Sequence, residues 1–543
     1  MKRLNGAEIV IECLKEQGVD TVFGYPGGSI LNIYDALYKH QDEITHILTS
    51  HEQGASHAAD GYARATGKVG VCLATSGPGA TNLVTGIATA YMDSIPVVAI
   101  TCNVGVNLLG KDSFQEIDIL GVTMPITKYN FIVKDVTKLA DVIRRAFKIA
   151  GSGRPGPVLV DITKDVTAAE CDYEYKQPDP VKPLSDAITE EDMERALSLI
   201  HASQKPFIFV GGGAVSANAS EELKAFAHKI QAPVADSLMG KGAFDGTDEL
   251  YTGMIGMHGT KTSNFGVAEC DLLIVAGARF SDRVVGDSSR FAKNAKILQL
   301  DVDPAEIGKN MTPTVPLVGD VKNILEKLLE YDVLTDSGEW IEKLQALARE
   351  EREKVSEKRK GTIGPRNFMH SLSDQLKDDA CVVADVGQNQ IWASKYIAIR
   401  SGRFLTSGGL GTMGYSLPAG IGVKFADRGR QTVVVCGDGS FQMMMNELST
   451  AVGNGIDIKI VLFNNRKLGM VNEIQKKAYS AGPYAVHMPE TPDFCKLAEA
   501  FGIESRRIDD EAVMDEAISR MLSFDGPFLL ECVVDSDEST MLQ

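Results

Sequence analysis

The sequence predicts an α/β protein of three domains, each built on a mainly parallel sheet flanked by helices. Two observations support this fold class. First, short apolar runs alternate with longer amphipathic stretches along all 543 residues, the pattern of repeated βαβ units. Second, two stretches unsuited to regular structure interrupt that alternation, a proline-rich one at 177–183 and a densely charged one at 350–366. The predicted domains are therefore residues 1–178, 184–350 and 364–543.

Ten apolar runs are the predicted strands, taken in chain order. Three belong to the first domain, three to the second and four to the third: 69–75, 96–101, 157–163, 206–210, 271–278, 296–302, 380–385, 431–436, 458–463 and 527–534. The amphipathic stretches between them are the predicted helices. The second domain is expected to be Rossmann-like.

Composition excludes several classes of protein. The chain is 44% hydrophobic and 24% charged, as ordinary globular proteins are. Its net charge of -18 argues against nucleic acid or an anionic membrane surface as a partner, because both attract clustered Lys and Arg. No segment approaches the roughly 20 apolar residues of a membrane span. Nine cysteines without a CxxC pair fit a reducing compartment, and a cytoplasmic location is expected.

The end of the chain carries a candidate metal site. Gly437-Asp438-Gly439-Ser440 follows the run at 431–436, and Asn464-Asn465 follows the run at 458–463. Neighbouring parallel strands would bring Asp438 and Asn465 together at their carboxyl ends, where open α/β sheets bind ligands. Mg²⁺ commonly takes one or two protein oxygen ligands together with phosphate oxygens. The pair therefore predicts a clamp for Mg²⁺ and a diphosphate, although an Asp-Gly turn alone is common.

Glu52 opens an alanine-rich stretch of helical character in the first domain. One interpretation is an ordinary helix N-terminal glutamate facing the helix dipole, which local sequence favours. The other is a partly desolvated acid whose raised pKa suits proton exchange. The residues alone leave both open.

Seven ordered motifs extend over nearly the whole chain and resemble the catalytic subunits of the acetolactate synthase (acetohydroxyacid synthase) family, which use thiamine diphosphate. They lie at 23–28, 75–82, 113–116, 154–162, 256–260, 405–411 and 468–471. The resemblance implies the thiamine diphosphate-binding fold. It also implies that Glu52 exchanges a proton with the aminopyrimidine ring of the cofactor, which decides the question left open above.

The resemblance places the remaining thiamine residues. Met413 would hold the cofactor bent, Gly28 and Gln115 would line the reacting centre, and a backbone carbonyl near Lys467 would complete the Mg²⁺ site of Asp438 and Asn465. Gly437, Gly439 and Ser440 would surround the diphosphate. For the second ketoacid it implies that Arg283 grips the carboxylate, with Phe114, Lys164 and Met257 around it.

Members of the family also bind FAD in the central domain without using its redox chemistry. The resemblance assigns that role here to Arg154, His258, Arg279, Asp301 and Asp320. Three departures from the family leave questions open. Asn389 stands where a histidine is usual, Ile474 stands where a tryptophan shapes the acceptor pocket, and the sequence ends at 543, before the usual C-terminal tail.

The implied activity is condensation of two pyruvates to 2-acetolactate and CO₂ through a hydroxyethyl-thiamine intermediate, the first step of branched-chain amino acid synthesis. 2-Ketobutyrate is a second acceptor whose use Ile474 leaves open, because one methylene is worth only about 1 to 3 kcal/mol. A homodimer or homotetramer, with a small regulatory subunit, is the expected assembly. The alternatives are another thiamine diphosphate-dependent decarboxylase or carboligase acting on a 2-oxoacid, and a non-catalytic cofactor-binding paralogue.

Overall fold

A computed structural model describes residues 1–179, 188–352 and 359–540 of the chain. Both predicted linkers lie partly outside these residues, and so does the end of the chain at 541–543. Three six-stranded sheets, each entirely parallel, account for the three predicted α/β units. The predicted fold class is confirmed, while the exact domain boundaries stay a prediction.

The first unit begins with a short strand, β1, that pairs antiparallel with its last strand, β8. The six strands between them in the sequence form the parallel sheet, in the order β3-β2-β4-β5-β7-β6. Its elements are β1 (Lys2–Asn5), α1 (Gly6–Glu16), β2 (Thr21–Gly24), α2 (Leu31–Lys39), β3 (Thr45–Leu48), α3 (Glu52–Thr66), β4 (Gly70–Ala74), α4 (Pro78–Asn82), α5 (Val84–Asp93), β5 (Val97–Asn103), α6 (Ile119–Thr123), β6 (Tyr129–Val133), α7 (Val136–Gly151), β7 (Val158–Thr163), α8 (Lys164–Ala168) and β8 (Glu170–Tyr173).

The central unit has the strand order of a dinucleotide-binding fold. Its elements are α9 (Glu190–His201), β9 (Pro206–Val210), α10 (Gly212–Ser216), α11 (Ser220–Lys229), β10 (Val234–Asp236), β11 (Tyr251–Met254), α12 (Lys261–Glu269), β12 (Leu272–Ala276), α13 (Asp282–Val285), β13 (Lys296–Asp301), β14 (Val315–Val318), α14 (Val321–Leu329) and α15 (Gly338–Arg352). The order β11-β10-β9-β12-β13-β14 is the Rossmann order, with its switch point between β9 and β12.

The last unit repeats the layout of the first. Its elements are α16 (Pro365–Gln375), β15 (Cys381–Ala384), α17 (Gln388–Tyr396), β16 (Arg403–Leu405), α18 (Ser416–Ala426), β17 (Thr432–Gly437), α19 (Asp438–Met444), α20 (Leu448–Gly453), β18 (Lys459–Asn464), α21 (Gly469–Ala478), α22 (Phe494–Ala500), β19 (Glu504–Ile508), α23 (Met514–Ser523) and β20 (Phe528–Val533). The sheet order is β16-β15-β17-β18-β20-β19.

Helices α3 and α18 hold the first and last units together through close backbone contact. A Cβ placed on Gly61 would lie 2.1 Å from the carbonyl oxygen of Ala419, and one on Gly422 would lie 2.0 Å from that of Ala58. Each helix therefore contributes one glycine at which the other helix approaches too closely for any side chain.

Buried apolar side chains fill both faces of each sheet, as parallel sheets covered by helices require. Among the described residues, no helix combines the length and the apolar character that crossing a membrane takes.

Candidate active site

The predicted metal ligands lie at the carboxyl ends of two neighbouring strands in the last unit. Strands β17 and β18 pair in parallel, with Gly437 opposite Phe463, so Asp438 and Asn465 each follow the end of a strand in the same layer. One loop contacts both side chains. The backbone N–H of Arg466 donates to Asp438 Oδ2 at 2.7 Å, and that of Lys467 donates to Asn465 Oδ1 at 3.0 Å.

Asp438 is a buried carboxylate that lacks a cationic partner. It is 2% exposed, and its hydrogen bonds come from the backbone N–H groups of Gly439, at 2.9 Å, and Arg466. Burial raises the pKa of the Asp438 carboxyl to about 6. The ion pairs of the described residues include none with Asp438. A buried carboxylate in this state fits a bound cation, which would supply the missing positive charge.

The donor set is that of a hard cation with few protein ligands. No group of three or more His, Cys, Asp or Glu side chains in the described part of the chain is arranged to hold a metal. Asp438 and Asn465 provide one carboxylate and one amide oxygen, so a metal here must complete its shell from carbonyl, phosphate and water oxygens. Mg²⁺ is usually bound in that way.

Gly439 of the motif lets neighbouring side chains approach closely. A Cβ on Gly439 would lie 2.8 Å from Leu468 Cδ2, and Met413 Cε would be 3.6 Å away. Met413 therefore lies against the motif, as its predicted role in holding the cofactor requires. Ser440 is buried, and its hydroxyl donates to the Gly437 carbonyl at 3.2 Å, which closes the turn.

Glu52 lies at the equivalent edge of the first unit. It is the first residue of α3, is 8% exposed, and accepts a hydrogen bond of 2.9 Å from Asn82 Nδ2. Its Oε1 would be 3.2 Å from a Cβ on Gly79, in the glycine-rich turn that follows β4. Glu52 is thus a helix N-terminal residue that is also largely removed from water, and its role in proton exchange stays a prediction.

Other predicted residues of the reacting centre lie in the same unit as Glu52. Lys164 Nζ donates to the Gly28 carbonyl oxygen at 3.1 Å. Gln115 has a left-handed backbone, with φ of 58°, and its Cα would be 2.9 Å from a Cβ on Gly77. Phe114, beside it, is 87% exposed, so most of its ring has no contact within this chain.

Two of the four predicted carboxylate-binding residues, Met257 and Arg283, form a separate group in the central unit, whereas Phe114 and Lys164 lie in the first unit. The backbone N–H of Met257 donates to the Arg283 carbonyl oxygen at 3.0 Å, which brings these two residues together. The Arg283 side chain is 72% exposed and its nearest carboxylate is that of its neighbour Asp282, at 3.7 Å. Met257 is 55% exposed. Both side chains are therefore accessible to a ligand.

Four of the five predicted flavin residues lie at or beyond the carboxyl ends of strands in the central sheet, and the fifth, Arg154, reaches it from the first unit. Arg154 donates to Glu306 at 2.7 Å and to Asp303 at 3.3 Å, and the Gly319 N–H donates to the Asp301 carbonyl at 2.9 Å, next to Asp320. Burial raises the pKa of the Asp301 carboxyl to about 6. Asp320 also caps α14 by accepting from the Asn323 N–H at 3.2 Å.

The crevice itself is lined by backbone. Gly213 N donates to the Gly277 carbonyl at 2.9 Å, so the turns after β9 and β12 meet where a dinucleotide would bind. Arg279 follows that second turn, and its carbonyl accepts from Asn310 at 3.0 Å. Burial lowers the pKa of His258, whose Nδ1 is buried without a partner among the described residues. Two touching glycine turns at the switch point fit a dinucleotide.

The structure thus places the predicted thiamine residues in two groups, one on the first unit and one on the last, while the central unit carries Met257 and Arg283 and most of the predicted flavin residues, with Arg154 contacting it from the first unit. No hydrogen bond or ion pair among the described residues joins Glu52, Gly28, Gln115, Phe114 or Lys164 to Met413, Asp438, Asn465 or Lys467. Sequence reasoning gave no role to Asn82 or to Gln388, which donate to Glu52 and accept from Asn465 respectively. Both lie in the recognised motifs or beside them, and their contacts depend on the fold.

Comparison with known proteins identifies all three units. Three stretches match the thiamine pyrophosphate (thiamine diphosphate) enzymes: the N-terminal TPP binding domain at residues 4–122, the central domain at 193–328 and the C-terminal TPP binding domain at 385–532.

Curated relatives extend the match to nearly the full length. An acetolactate synthase of Arthrospira platensis is 45% identical over 99% of this chain and 95% of its own length. A probable acetolactate synthase large subunit of Methanocaldococcus jannaschii is 45% identical over 99% and 93%, and an acetolactate synthase large subunit of Porphyra purpurea is 43% identical over 98% and 92%. On this identity, and on its two TPP binding domains, the chain belongs to the thiamine diphosphate-dependent acetolactate synthase family.

Proposed function

We propose that this chain condenses two molecules of pyruvate to 2-acetolactate and CO₂, as the catalytic large subunit of an acetolactate synthase. The observation that carries the proposal is that Glu52 and the Asp438–Asn465 pair are both present at the carboxyl ends of their sheets, in a chain alignable with such enzymes over 99% of its length. A chain that had lost catalysis would have no reason to keep the acid and the clamp together.

Glu52 is proposed to move the proton that activates the cofactor. Bound thiamine diphosphate supplies an electron sink for carbanion chemistry. The carboxylate of Glu52, held by Asn82 and shielded from water, would exchange a proton with a ring nitrogen of the aminopyrimidine. Such positioned acid-base help contributes roughly 10² to 10⁴ in rate. Gly28 and Gln115 would shape the space beside it.

The last unit would anchor and position the diphosphate. Asp438, Asn465 and a backbone carbonyl near Lys467 would hold Mg²⁺, while Gly437, Gly439 and Ser440 leave room for the phosphates. Met413 packs against Gly439 and would support the cofactor from below. Holding the reacting groups in one geometry is itself worth several kcal/mol of the barrier.

Arg283 and Lys164 are proposed to bind ketoacid carboxylates. Arg283 presents a largely exposed guanidinium that can take a carboxylate in a bidentate manner. Lys164 would add positive charge from the other side, where it already contacts Gly28. The apolar side chains of Phe114 and Met257, both mostly exposed in this chain, would cover the methyl group of pyruvate.

FAD is proposed as the ligand of the central crevice. Support comes from the Rossmann strand order, the glycine turns at its switch point and the partnerless Nδ1 of His258. Arg154, Arg279, Asp301 and Asp320 surround that crevice. Purified protein that carries FAD is expected to be yellow and to show the flavin absorption bands in visible light, and acid extraction followed by chromatography would identify the flavin.

A second copy of the chain is proposed to complete the site. Glu52 and Asp438 lie on different units with no contact between their groups, and several apolar side chains near them are exposed, among them Phe114 at 87% and Ile474 at 47%. A homodimer or homotetramer would bring the acid of one copy to the clamp of another. Relatives named as large subunits support a smaller partner subunit as well.

The test is product analysis with purified protein, thiamine diphosphate, Mg²⁺ and pyruvate, with and without 2-ketobutyrate. Release of CO₂ and appearance of 2-acetolactate are expected. Mixed substrates would show whether Ile474 leaves room for the larger acceptor, because both hydroxyacids are resolved by mass.

Two other results would overturn the proposal. Acetaldehyde as the sole product would assign the chain to the 2-oxoacid decarboxylases. Binding of thiamine diphosphate without any consumption of pyruvate would leave a non-catalytic paralogue. Sedimentation of the active protein as a monomer would remove the claim that two copies build one site.

A further inference from the structure

The amide of Asn465 is held in place by a chain of hydrogen bonds that reaches the end of the protein. Asn465 Nδ2 donates to Gln388 Oε1 at 2.9 Å. Gln388 Nε2 donates to Glu473 Oε1 at 2.5 Å and to the Glu538 carbonyl at 2.7 Å. Glu473 in turn accepts from the backbone N–H and the hydroxyl of Thr540, at 2.8 and 2.7 Å.

These bonds leave each amide only one orientation. Gln388 Nε2 has two hydrogens, and both are used by oxygen acceptors. Its Oε1 must therefore face Asn465, and can only accept. Asn465 consequently turns its Nδ2 toward Gln388, and its Oδ1, which accepts from the Lys467 N–H, keeps a second lone pair for a cation.

The opposite orientation would damage a metal site. If Gln388 lost its acceptors, its amide could turn and present Nε2 to Asn465. Asn465 would then turn as well and aim an N–H group where a cation needs an oxygen. A ligand amide is indistinguishable in shape from its flipped form, so only hydrogen-bond partners decide between them.

The surroundings of Gln388 favour its contact with Asn465. Gln388 is 6% exposed and Thr540 is 4% exposed, so water does not readily replace their partners. Gly469, the first residue of α21, gives Gln388 its space, because a Cβ there would lie 1.8 Å from Gln388 Oε1. The chain of bonds crosses from α17 to α21 and on to the C-terminal segment.

From this arrangement we propose that Glu473 is a positioning residue for the divalent cation. By fixing Gln388 it fixes the amide of Asn465, and thereby keeps a carbonyl oxygen on the metal. The inference rests on the proposed Mg²⁺ site and adds to it a residue that contacts neither metal nor substrate. Partners of this kind typically alter metal affinity by 10- to 100-fold when removed.

The experiment measures binding of Mn²⁺, as a stand-in for Mg²⁺, to cofactor-free full-length protein supplied with thiamine diphosphate. Free Mn²⁺ is quantified by its electron paramagnetic resonance signal, so no turnover is needed. Glu473→Leu removes the side-chain acceptor of Gln388 Nε2, leaving only the Glu538 carbonyl, and is expected to weaken Mn²⁺ binding roughly 10- to 100-fold. Glu473→Gln retains one oxygen acceptor for Gln388 and is expected to restore most of the affinity.

Two controls separate positioning from a general structural effect. Glu499→Leu makes the same change at an exposed position of α22 and should bind Mn²⁺ as the parent does. Thr540→Val loosens the C-terminal segment but leaves Gln388 its acceptor on Glu473, and should also keep the parent's affinity.

The outcomes are distinct. Parent-like affinity in Glu473→Leu overturns the inference while leaving the metal site intact. Equal losses in Glu473→Leu and Thr540→Val also overturn it, because the C-terminal segment would then be responsible. A parent protein that binds no Mn²⁺ with thiamine diphosphate overturns the proposed metal site and this inference together.

Discussion

The first and last sheets have the same strand order but carry different chemistry at their carboxyl ends. When the strands of each six-stranded sheet are numbered in chain order, both sheets have the order 2-1-3-4-6-5. The orders β3-β2-β4-β5-β7-β6 and β16-β15-β17-β18-β20-β19 thus correspond strand for strand. In both, a glycine-containing turn follows the third strand. The helices after the second strands, α3 and α18, pack against each other with one glycine each.

The likeness extends to a buried polar pair. Asn103 Nδ2 donates to Asp161 Oδ2 at 2.8 Å in the first sheet, and Asn464 Nδ2 donates to Glu531 Oε1 at 2.7 Å in the last. Each asparagine lies on the fourth strand of its sheet. The residue two positions before it, Thr101 or Leu462, pairs with the carboxylate residue on the sixth strand, Asp161 or Glu531. Asn103 thus has a buried carboxylate partner within its own sheet.

The difference lies in what each edge offers a ligand. The first unit places an acid, Glu52, at the start of α3, whereas α18 starts with Ser416, whose hydroxyl donates to Asp385 at 2.7 Å. The last unit places Asp438 and Asn465 after its third and fourth strands. One scaffold therefore appears twice, once with the acid proposed for proton transfer and once with the clamp proposed for metal and diphosphate, so in the proposed function each edge is half of a site.

Changing the acid should remove catalysis and leave binding intact. Glu52→Gln keeps the size of the side chain and an oxygen for Asn82, but cannot give up a proton as a carboxylic acid does. We expect pyruvate consumption to fall roughly 10²- to 10⁴-fold, with the dissociation constant for thiamine diphosphate close to that of the parent. Steady-state rates and calorimetric titration measure the two quantities.

Glu170→Gln, at an exposed position of the same unit, is the control for Glu52→Gln and should behave as the parent. Undiminished turnover in Glu52→Gln would show that the two edges do not divide the chemistry as proposed.

Changing the clamp should have the opposite pattern, with binding lost first. Asp438→Asn removes the negative charge that would balance the metal, and breaking such a buried pairing costs about 3 kcal/mol or more. That is roughly a 150-fold weaker metal-dependent binding of thiamine diphosphate, measured by titration in the presence of Mg²⁺. High concentrations of both should recover part of the turnover, which they cannot do for Glu52→Gln.

The same variant should be more stable than the parent without cofactors. Burial raises the pKa of Asp438 to about 6, above the unfolded value near 3.9. The carboxyl group therefore stabilises the fold below about pH 4 and loses that contribution as pH rises through about 6. Thermal unfolding should show the stability of Asp438→Asn increasing relative to that of the parent as pH rises between those two values. A constant difference across that range would contradict this account.

Sequence found the strands at the centre of each sheet and missed shorter or more polar ones. All ten predicted runs are strands, because continuous apolar segments between helices have few other uses. The missed ones include β16, with three residues, and β19, whose sequence Glu-Ser-Arg-Arg-Ile is charged. Their pairing comes from the neighbouring strand, which local sequence does not reveal.

The site shows the same limit. Asp438 and Asn465 were predictable as neighbours because each follows the end of an apolar run, and parallel strands end at one edge. The bond from Gln388 to Glu473 spans 85 residues, and that from Gln388 to Glu538 spans 150. No periodicity or motif connects such positions, so only the folded structure could show that they orient a ligand.

The packing of α3 against α18 should be equally sensitive to an added methyl group on either helix. Gly61→Ala and Gly422→Ala each place a methyl group about 2 Å from a backbone oxygen of the other helix, where overpacking typically costs 1 to 3 kcal/mol. We expect both to lower the free energy of unfolding by similar amounts in denaturant titrations. Gly453→Ala, where nothing lies within 4 Å, is the matched control and should not destabilise.

A large loss in only one of the two glycine variants would show that the helix pair is less symmetric in its energetics than in its geometry.

The two asparagine–carboxylate pairs should separate structural from functional use of the same arrangement. Asn103→Ala leaves Asp161 with one donor, Thr101, and an unpaired buried oxygen costs about 1 to 3 kcal/mol. Asn464→Ala should cost less stability, because Arg507 still donates to Glu531 at 2.8 Å. It should nevertheless weaken binding of thiamine diphosphate and Mg²⁺, since Asn464 directly precedes the ligand loop and its Oδ1 accepts from the Arg466 N–H at 3.3 Å. Urea unfolding measures the stability of both variants, and titration measures their cofactor binding. If Asn103→Ala also lost cofactor binding, the pair of the first unit would have a role in the site that its position does not suggest.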